Sequence, residues 1–189
     1  KNLMRLSSRA HLEGFYYKPR FDKELLEEYA SGVIATSSCL GGEIPQQILA
    51  GNTDKVIELI QQFQKIFGKE DYYLEVQPHP EIDEQIKVNK IILDIAKEYK
   101  IPTIATNDSH YLKPEDAETQ DILVCVQTGK TVNDDNRLKM TDLDLSMKTE
   151  KEMRKSFPNN PEVIDETVKL AEKCNVELEL GDYHFPKFD

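Results

Sequence analysis

Apolar positions along this chain switch repeatedly between two periods. Val33-Ile34-Ala35-Thr36-Ser37, Tyr72-Tyr73-Leu74-Glu75-Val76 and Thr103-Ile104-Ala105-Thr106 are short β-branched or aromatic runs, the composition of buried strands. Between them, apolar residues recur every three or four positions. Val56, Leu59, Ile60, Phe63, Ile66 and Phe67 form one helical stripe, closed by Gly68. Val88, Ile91, Ile92, Ile95, Ala96 and Tyr99 form another, which Pro102 stops. Ile44–Ala50 reads as a short helix ending at Gly51, and Leu3, Leu6 and Ala10 already keep helical spacing at the start. Lys1 brings neither an initiator methionine nor a helix cap, so the spacing predicts a chain cut inside an element, with further residues upstream.

Strand, helix, strand, helix, strand is the grammar of a parallel sheet with helices packed outside it, an α/β fold. The pattern does not separate a closed barrel from an open sheet. After Tyr111 the alternation ends. Pro114 and Pro161 stand where first-turn prolines would, which predicts helices over 115–128 and 161–174, with another near 150–157. Residues 131–146, rich in Asn and Asp, read as an exposed loop, and 181–189 as an exit segment. The expected organisation is one domain over 1–175 and a linker over 176–189.

Composition narrows the class. Hydrophobic residues make up 39% and charged residues 31% of 189, as in globular rather than disordered chains. No apolar run approaches the ~20 residues of a membrane span. Three scattered cysteines, Cys39, Cys125 and Cys174, make no disulfide framework, which points to a reducing, cytoplasmic setting. Cys125 and Cys174 sit in helical, apolar surroundings and are expected in the core. The net charge of −11 argues against this segment gripping a nucleic-acid backbone by itself. Basic residues do cluster before position 21 (Lys1, Arg5, Arg9, Lys18 and Arg20), which reads as a solvated helix face or a phosphate contact.

Candidate chemistry gathers after the strands. In Thr106-Asn107-Asp108-Ser109-His110-Tyr111, Asp108 and His110 follow an apolar run two residues apart, so on extended backbone both point one way. A carboxylate beside an imidazole is half of a site for zinc, manganese or iron; a capping Asp with a surface His fits the same letters. Cys39 follows the first strand, before Gly41-Gly42-Glu43, and reads as a metal ligand, a nucleophile or an inert thiol. His11 falls at a helix end before Gly14, where a C-terminal cap is the simple account. His79, between Pro78 and Pro80, follows the second strand as a rigid loop residue or a neighbour of the site. His184 takes no role. Strand carboxyl ends are where parallel α/β folds collect their active sites. There is no G-x-x-x-x-G-K-[ST], G-x-G-x-x-G, C-x-x-C or G-x-S-x-G.

Whole phrases carry a resemblance. Leu6-Ser7-Ser8-Arg9-Ala10-His11-Leu12-Glu13-Gly14-Phe15-Tyr16-Tyr17, Cys39-Leu40-Gly41-Gly42-Glu43-Ile44-Pro45, Ala105-Thr106-Asn107-Asp108-Ser109-His110-Tyr111-Leu112, Val126-Gln127-Thr128-Gly129-Lys130 and Gly181-Asp182-Tyr183-His184-Phe185-Pro186 resemble, in order and spacing, the PHP (polymerase and histidinol phosphatase) domain of bacterial replicative polymerase alpha subunits. That resemblance implies part of a distorted (β/α)7 barrel with added C-terminal helices. It also implies divalent metal ions (Zn, Mn or Fe) with His11, Cys39, Asp108 and His110 at ligand positions, and with Glu43 and His79 behind the ligands. Metal-dependent 3′–5′ exonuclease or pyrophosphatase chemistry follows from it. So do a parent DNA polymerase using Mg, partners in DNA and other replicase subunits, and no membrane. The family's early H-x-H, Asp-His and Glu signatures are absent and would lie upstream of Lys1, and the polymerase aspartates would lie beyond Asp189. The segment alone is therefore expected to be inactive and to hold metal weakly. A non-catalytic module bracing the polymerase is the alternative.

Overall fold

The computed structural model describes residues 1–183 and 185–187. Its centre is a parallel sheet of β1 (Ala35–Thr36), β2 (Tyr72–Val76) and β3 (Thr103–Ala105), in that order, with Ala35 beside Tyr72 and Val76 beside Ala105. Around it run α1 (Asn2–Leu12), α2 (Lys23–Tyr29), α3 (Glu43–Leu49), α4 (Thr53–Phe67), α5 (Asp83–Tyr99), α6 (Ala117–Thr128), α7 (Glu150–Ser156) and α8 (Glu162–Lys173). The mixed α/β class and the parallel sheet are as the periodicity predicts. Sequence pattern did not signal α2. Its Asp22 cap accepts from Leu25 N–H at 2.9 Å, but its short stripe buries no residue fully and leaves little periodic signal.

Alternation along β2 sets the two faces of the sheet. Tyr72, Leu74 and Val76 are at most 1% exposed and enter the core with Ile44 and Ile48 of α3, Val56, Leu59 and Ile60 of α4, and Val88 and Ile92 of α5. Glu75 and Gln77, buried but polar, take the other face. The first strand is shorter than the sequence suggests because Ser37 interrupts the ladder: its Oγ, not its carbonyl, accepts from Glu75 N–H at 2.9 Å. The outer edge of β3 is covered rather than open. Thr167 of α8 accepts from Ala105 N–H at 3.2 Å and lies 3.1 Å from the Ala105 carbonyl, so one hydroxyl replaces a neighbouring strand.

One expectation is corrected and another is extended. Cys174 is exposed at the end of α8, where the last turn has left the core, whereas Cys125 is buried as expected. The 131–146 stretch is a mostly exposed loop, as expected, but an anchored one. Arg137 forks onto Asp121 at 2.6 and 2.8 Å, and Leu145 and Ser146 are buried beside the β3 exit, where Met147 N–H donates to the Tyr111 carbonyl at 3.0 Å. Residues 176–183 and 185–187 form no helix or strand, and His184 and the last two residues lie outside the described residues. Among the described residues no helix is long and apolar enough to cross a membrane.

Candidate functional site

All three strands release their chains at one edge, as Ser37–Cys39, Gln77–Pro80 and Thr106–His110. The first exit turns sharply: Ser38 takes a left-handed φ of 67°, and Gly42 N–H donates to the Cys39 carbonyl at 2.8 Å. Gly42 is required there, because a Cβ would meet the Ser37 carbonyl oxygen at 2.4 Å; Gly41 has open space around it. Cys39 itself is exposed on this turn.

The third exit carries Asp108, also left-handed at φ 51°, and its carbonyl accepts from His110 Nδ1 at 2.8 Å. A carbonyl only accepts, so Nδ1 holds the proton and Nε2 is left with a free lone pair, the orientation typical of metal-ligating histidines. His110 is further fixed by its own N–H, which donates to the Leu145 carbonyl at 2.9 Å. The second exit delivers His79, only 4% exposed, whose two ring nitrogens both lack a hydrogen-bond partner among the described residues. Its Nε2 lies 3.7 Å from Asp108 Oδ2. His79, Asp108 and His110 are thus neighbours, although sequence reading left His79 as an accessory.

The other candidates do not join them. His11 stands on exposed helix α1, which packs on α2, and its Nδ1 donates to the Ser7 carbonyl at 2.9 Å, leaving Nε2 free as in His110. Glu43 accepts from Lys23 Nζ at 2.9 Å. Among the described residues no three His, Cys, Asp or Glu side chains come close enough together to hold a metal ion. The residues therefore fit such an ion in part: an orphaned buried imidazole, a facing carboxylate and two free Nε2 atoms are suitable donors, but they are not assembled.

One polar residue escaped sequence reading. Glu75, next to the last residue of β2, is 9% exposed. Its Oε2 accepts from Thr36 Oγ at 2.5 Å, and its Oε1 accepts from Thr106 Oγ at 2.5 Å and from Gln77 Nε2 at 3.2 Å. The available signal was a lone carboxylate inside an otherwise apolar and aromatic strand.

Comparison with known proteins bears on this edge. The family described as "PHP domain" matches residues 1–79, from α1 to the β2 exit. The chain is 46% identical over 175 residues to the DNA polymerase III subunit alpha of Borreliella burgdorferi, covering 93% of this chain and 15% of that protein. Against the same subunit of Treponema pallidum it is 42% identical over 178 residues, 94% of this chain and 15% of the relative. Against that of Thermus aquaticus it is 41% identical over 194 residues, all of this chain and 16% of the relative. The chain spans less than a fifth of the length of these relatives.

Proposed function

Since the chain belongs to the DNA polymerase III alpha subunit family, as a segment with PHP-domain sequence, we propose that it contributes part of a metal-dependent phosphoesterase site to a replicative polymerase. In this reading β1, β2 and β3 are three strands of a distorted (β/α)7 barrel. The parent carries out DNA-templated DNA synthesis with Mg in the bacterial cytoplasm, among DNA and the other replicase subunits.

The observation that carries the reading is His79. A buried imidazole with two unpartnered nitrogens is costly, and polar orphans of this kind concentrate at functional sites. It faces Asp108, beside His110 with its Nε2 free. Asp108 and His110 would hold a divalent ion, with His11 and Cys39 as further ligands by family resemblance and Glu43 as an outer neighbour. When bound, zinc, manganese or iron lowers the pKa of a water and neutralises charge on phosphate oxygens, the chemistry of 3′–5′ exonuclease or pyrophosphate hydrolysis. The chain's own part is orientation: the Asp108 carbonyl keeps the His110 proton on Nδ1, and the Leu145 carbonyl fixes the His110 backbone.

Metal analysis of the full-length subunit tests this, with Asp108→Asn and His110→Ala assayed for nuclease and pyrophosphatase activity and for melting. The expected result is stoichiometric metal in the wild type, lost in both variants together with hydrolysis. A metal-free wild-type subunit ends the reading.

A second reading, a non-catalytic brace for the polymerase, has its own support. No three donors assemble among the described residues, and Ile122, Leu123 and Val126 of α6 are 53–74% exposed, an apolar face suited to packing. It predicts that the same two substitutions leave hydrolysis unchanged.

A further inference from the structure

Glu75 is the one charged residue of β2, and its side chain gathers groups from β1 and from the exits of β2 and β3 on the face opposite the apolar core. Its three donors, Thr36, Thr106 and Gln77, are all neutral. A carboxyl group at 9% exposure, gathering only neutral partners among the described residues, is a costly choice that packing alone does not call for.

We propose that Glu75 is a positioning residue for a divalent cation bound at the strand ends, acting through the chain segments that carry the ligands. The proposal rests on the metal reading above and names what holds that site in shape. Thr36 stands three residues before Cys39, Gln77 two before His79, and Thr106 two before Asp108. One carboxylate therefore ties together the exits of β1, β2 and β3. Gln77 is held from a second side, because Asn89 of α5 donates to its carbonyl at 2.7 Å and accepts from its N–H at 3.3 Å. Thr106 Oγ, while donating to Glu75, also accepts from Gln77 Nε2 at 3.2 Å, so the second and third exits are linked to each other as well.

The hydrogen-bonding character of a carboxylate suits this place. It is acceptor-only, so it draws in three donors without presenting a hydrogen of its own, which an amide would do. Groups that orient metal ligands from behind typically change affinity 10- to 100-fold when removed.

The test uses the full-length subunit and Mn2+ alone, titrated against a competing chelator, with melting of the metal-free protein recorded in parallel. Glu75→Gln is expected to weaken Mn2+ binding about 10-fold or more with little change in the metal-free melting temperature. Thr106→Val is expected to weaken it in the same direction, and Thr106→Ser, which keeps the hydroxyl, to restore wild-type affinity. If Glu75→Gln proves unable to fold, the Thr106 pair decides alone. Wild-type affinity in Glu75→Gln and Thr106→Val, with binding lost in Asp108→Asn, overturns the role of Glu75 and leaves the metal site standing. A wild-type subunit that binds no Mn2+ overturns both.

Discussion

The Asp108 carboxylate and the His79 imidazole face each other across the exits of β2 and β3, with Oδ2 and Nε2 3.7 Å apart, just beyond hydrogen-bond reach. Among the described residues neither ring nitrogen of His79 has another partner, and Asp108 stands in left-handed backbone at φ 51°. Orphaned buried polar groups cost about 1–3 kcal/mol. Left-handed backbone costs most L-residues about 1–2 kcal/mol, though Asp and Asn bear it best. Two such costs at one strand edge are what a site shaped for a ligand, rather than for stability, shows.

The conformation of Asp108 allows its chemistry to be separated from its backbone. Asn accepts left-handed φ as readily as Asp, so Asp108→Asn should keep thermal stability within ~0.5 kcal/mol of wild type while removing cation binding. Asp108→Val, β-branched at the same φ, should lose about 1–2 kcal/mol as well. Calorimetry paired with metal analysis reads both. Equal stability of the two variants would mean that the left-handed turn is not present in solution.

The turn that presents Cys39 can be tested through adjacent glycines. A Cβ on Gly42 would lie 2.4 Å from the Ser37 carbonyl oxygen, against rigid backbone, whereas a Cβ on Gly41 would meet nothing within 4 Å. Gly42→Ala should therefore destabilise by roughly 2 kcal/mol or more, by forcing the β1 exit to move. Gly41→Ala should be neutral or gain about 0.4–1 kcal/mol through reduced freedom of the unfolded chain. Denaturant midpoints distinguish them, and a reversed order would refute the described turn.

The sequence disclosed most of the scaffold because period and punctuation agree: Tyr72–Val76 is the strand its letters suggest, and the α4 and α5 stripes bury Val56, Leu59, Val88 and Ile92 as spaced. It located the strand ends, and with them Cys39, Asp108 and His110. Pairings that depend on residues far apart in sequence stayed hidden. Glu75 looked like an ordinary strand residue because Thr36 and Thr106, its partners, are 39 and 31 positions away. The Asn- and Asp-rich 131–146 stretch is the exposed loop its letters suggest, but its anchors stayed hidden because Asp121, the Tyr111 hydroxyl and the His110 N–H lie outside it. Polarity signals a loop, but not the tertiary contacts that hold it.

That anchored stretch should respond to acid. Lys148, and then the Ser146 hydroxyl, hold the Asp144 carboxyl down at about 2 by hydrogen bonding, and the Arg137 fork lowers Asp121 in the same direction. For a carboxylate whose folded value is depressed, the stabilisation is complete above the unfolded value of ~3.9 and is lost as pH falls towards the folded value. Stability should thus decline between pH ~4 and about 2, and Asp144→Asn should flatten part of that slope. Carboxyl-carbon NMR titration gives the check: Asp144 titrating near 4 would show that Lys148 does not hold it.

The cover on β3 yields the sharpest stability test. Ala105 is buried, its N–H and carbonyl point away from β2, and Thr167 Oγ is the partner that α8 offers them. Valine matches threonine in shape but neither donates nor accepts, so Thr167→Val leaves a buried N–H unmet at about 1–3 kcal/mol. Thr167→Ser keeps the hydroxyl and should lose less, confined to one methyl group at ~0.8 kcal/mol. Hydrogen exchange at the Ala105 amide should quicken in the valine variant and stay slow in the serine variant. An uncovered edge strand also invites pairing with other chains, so Thr167→Val should raise the tendency to self-associate on light scattering. Unchanged exchange at Ala105 in Thr167→Val would show that the β3 edge is satisfied by something other than α8.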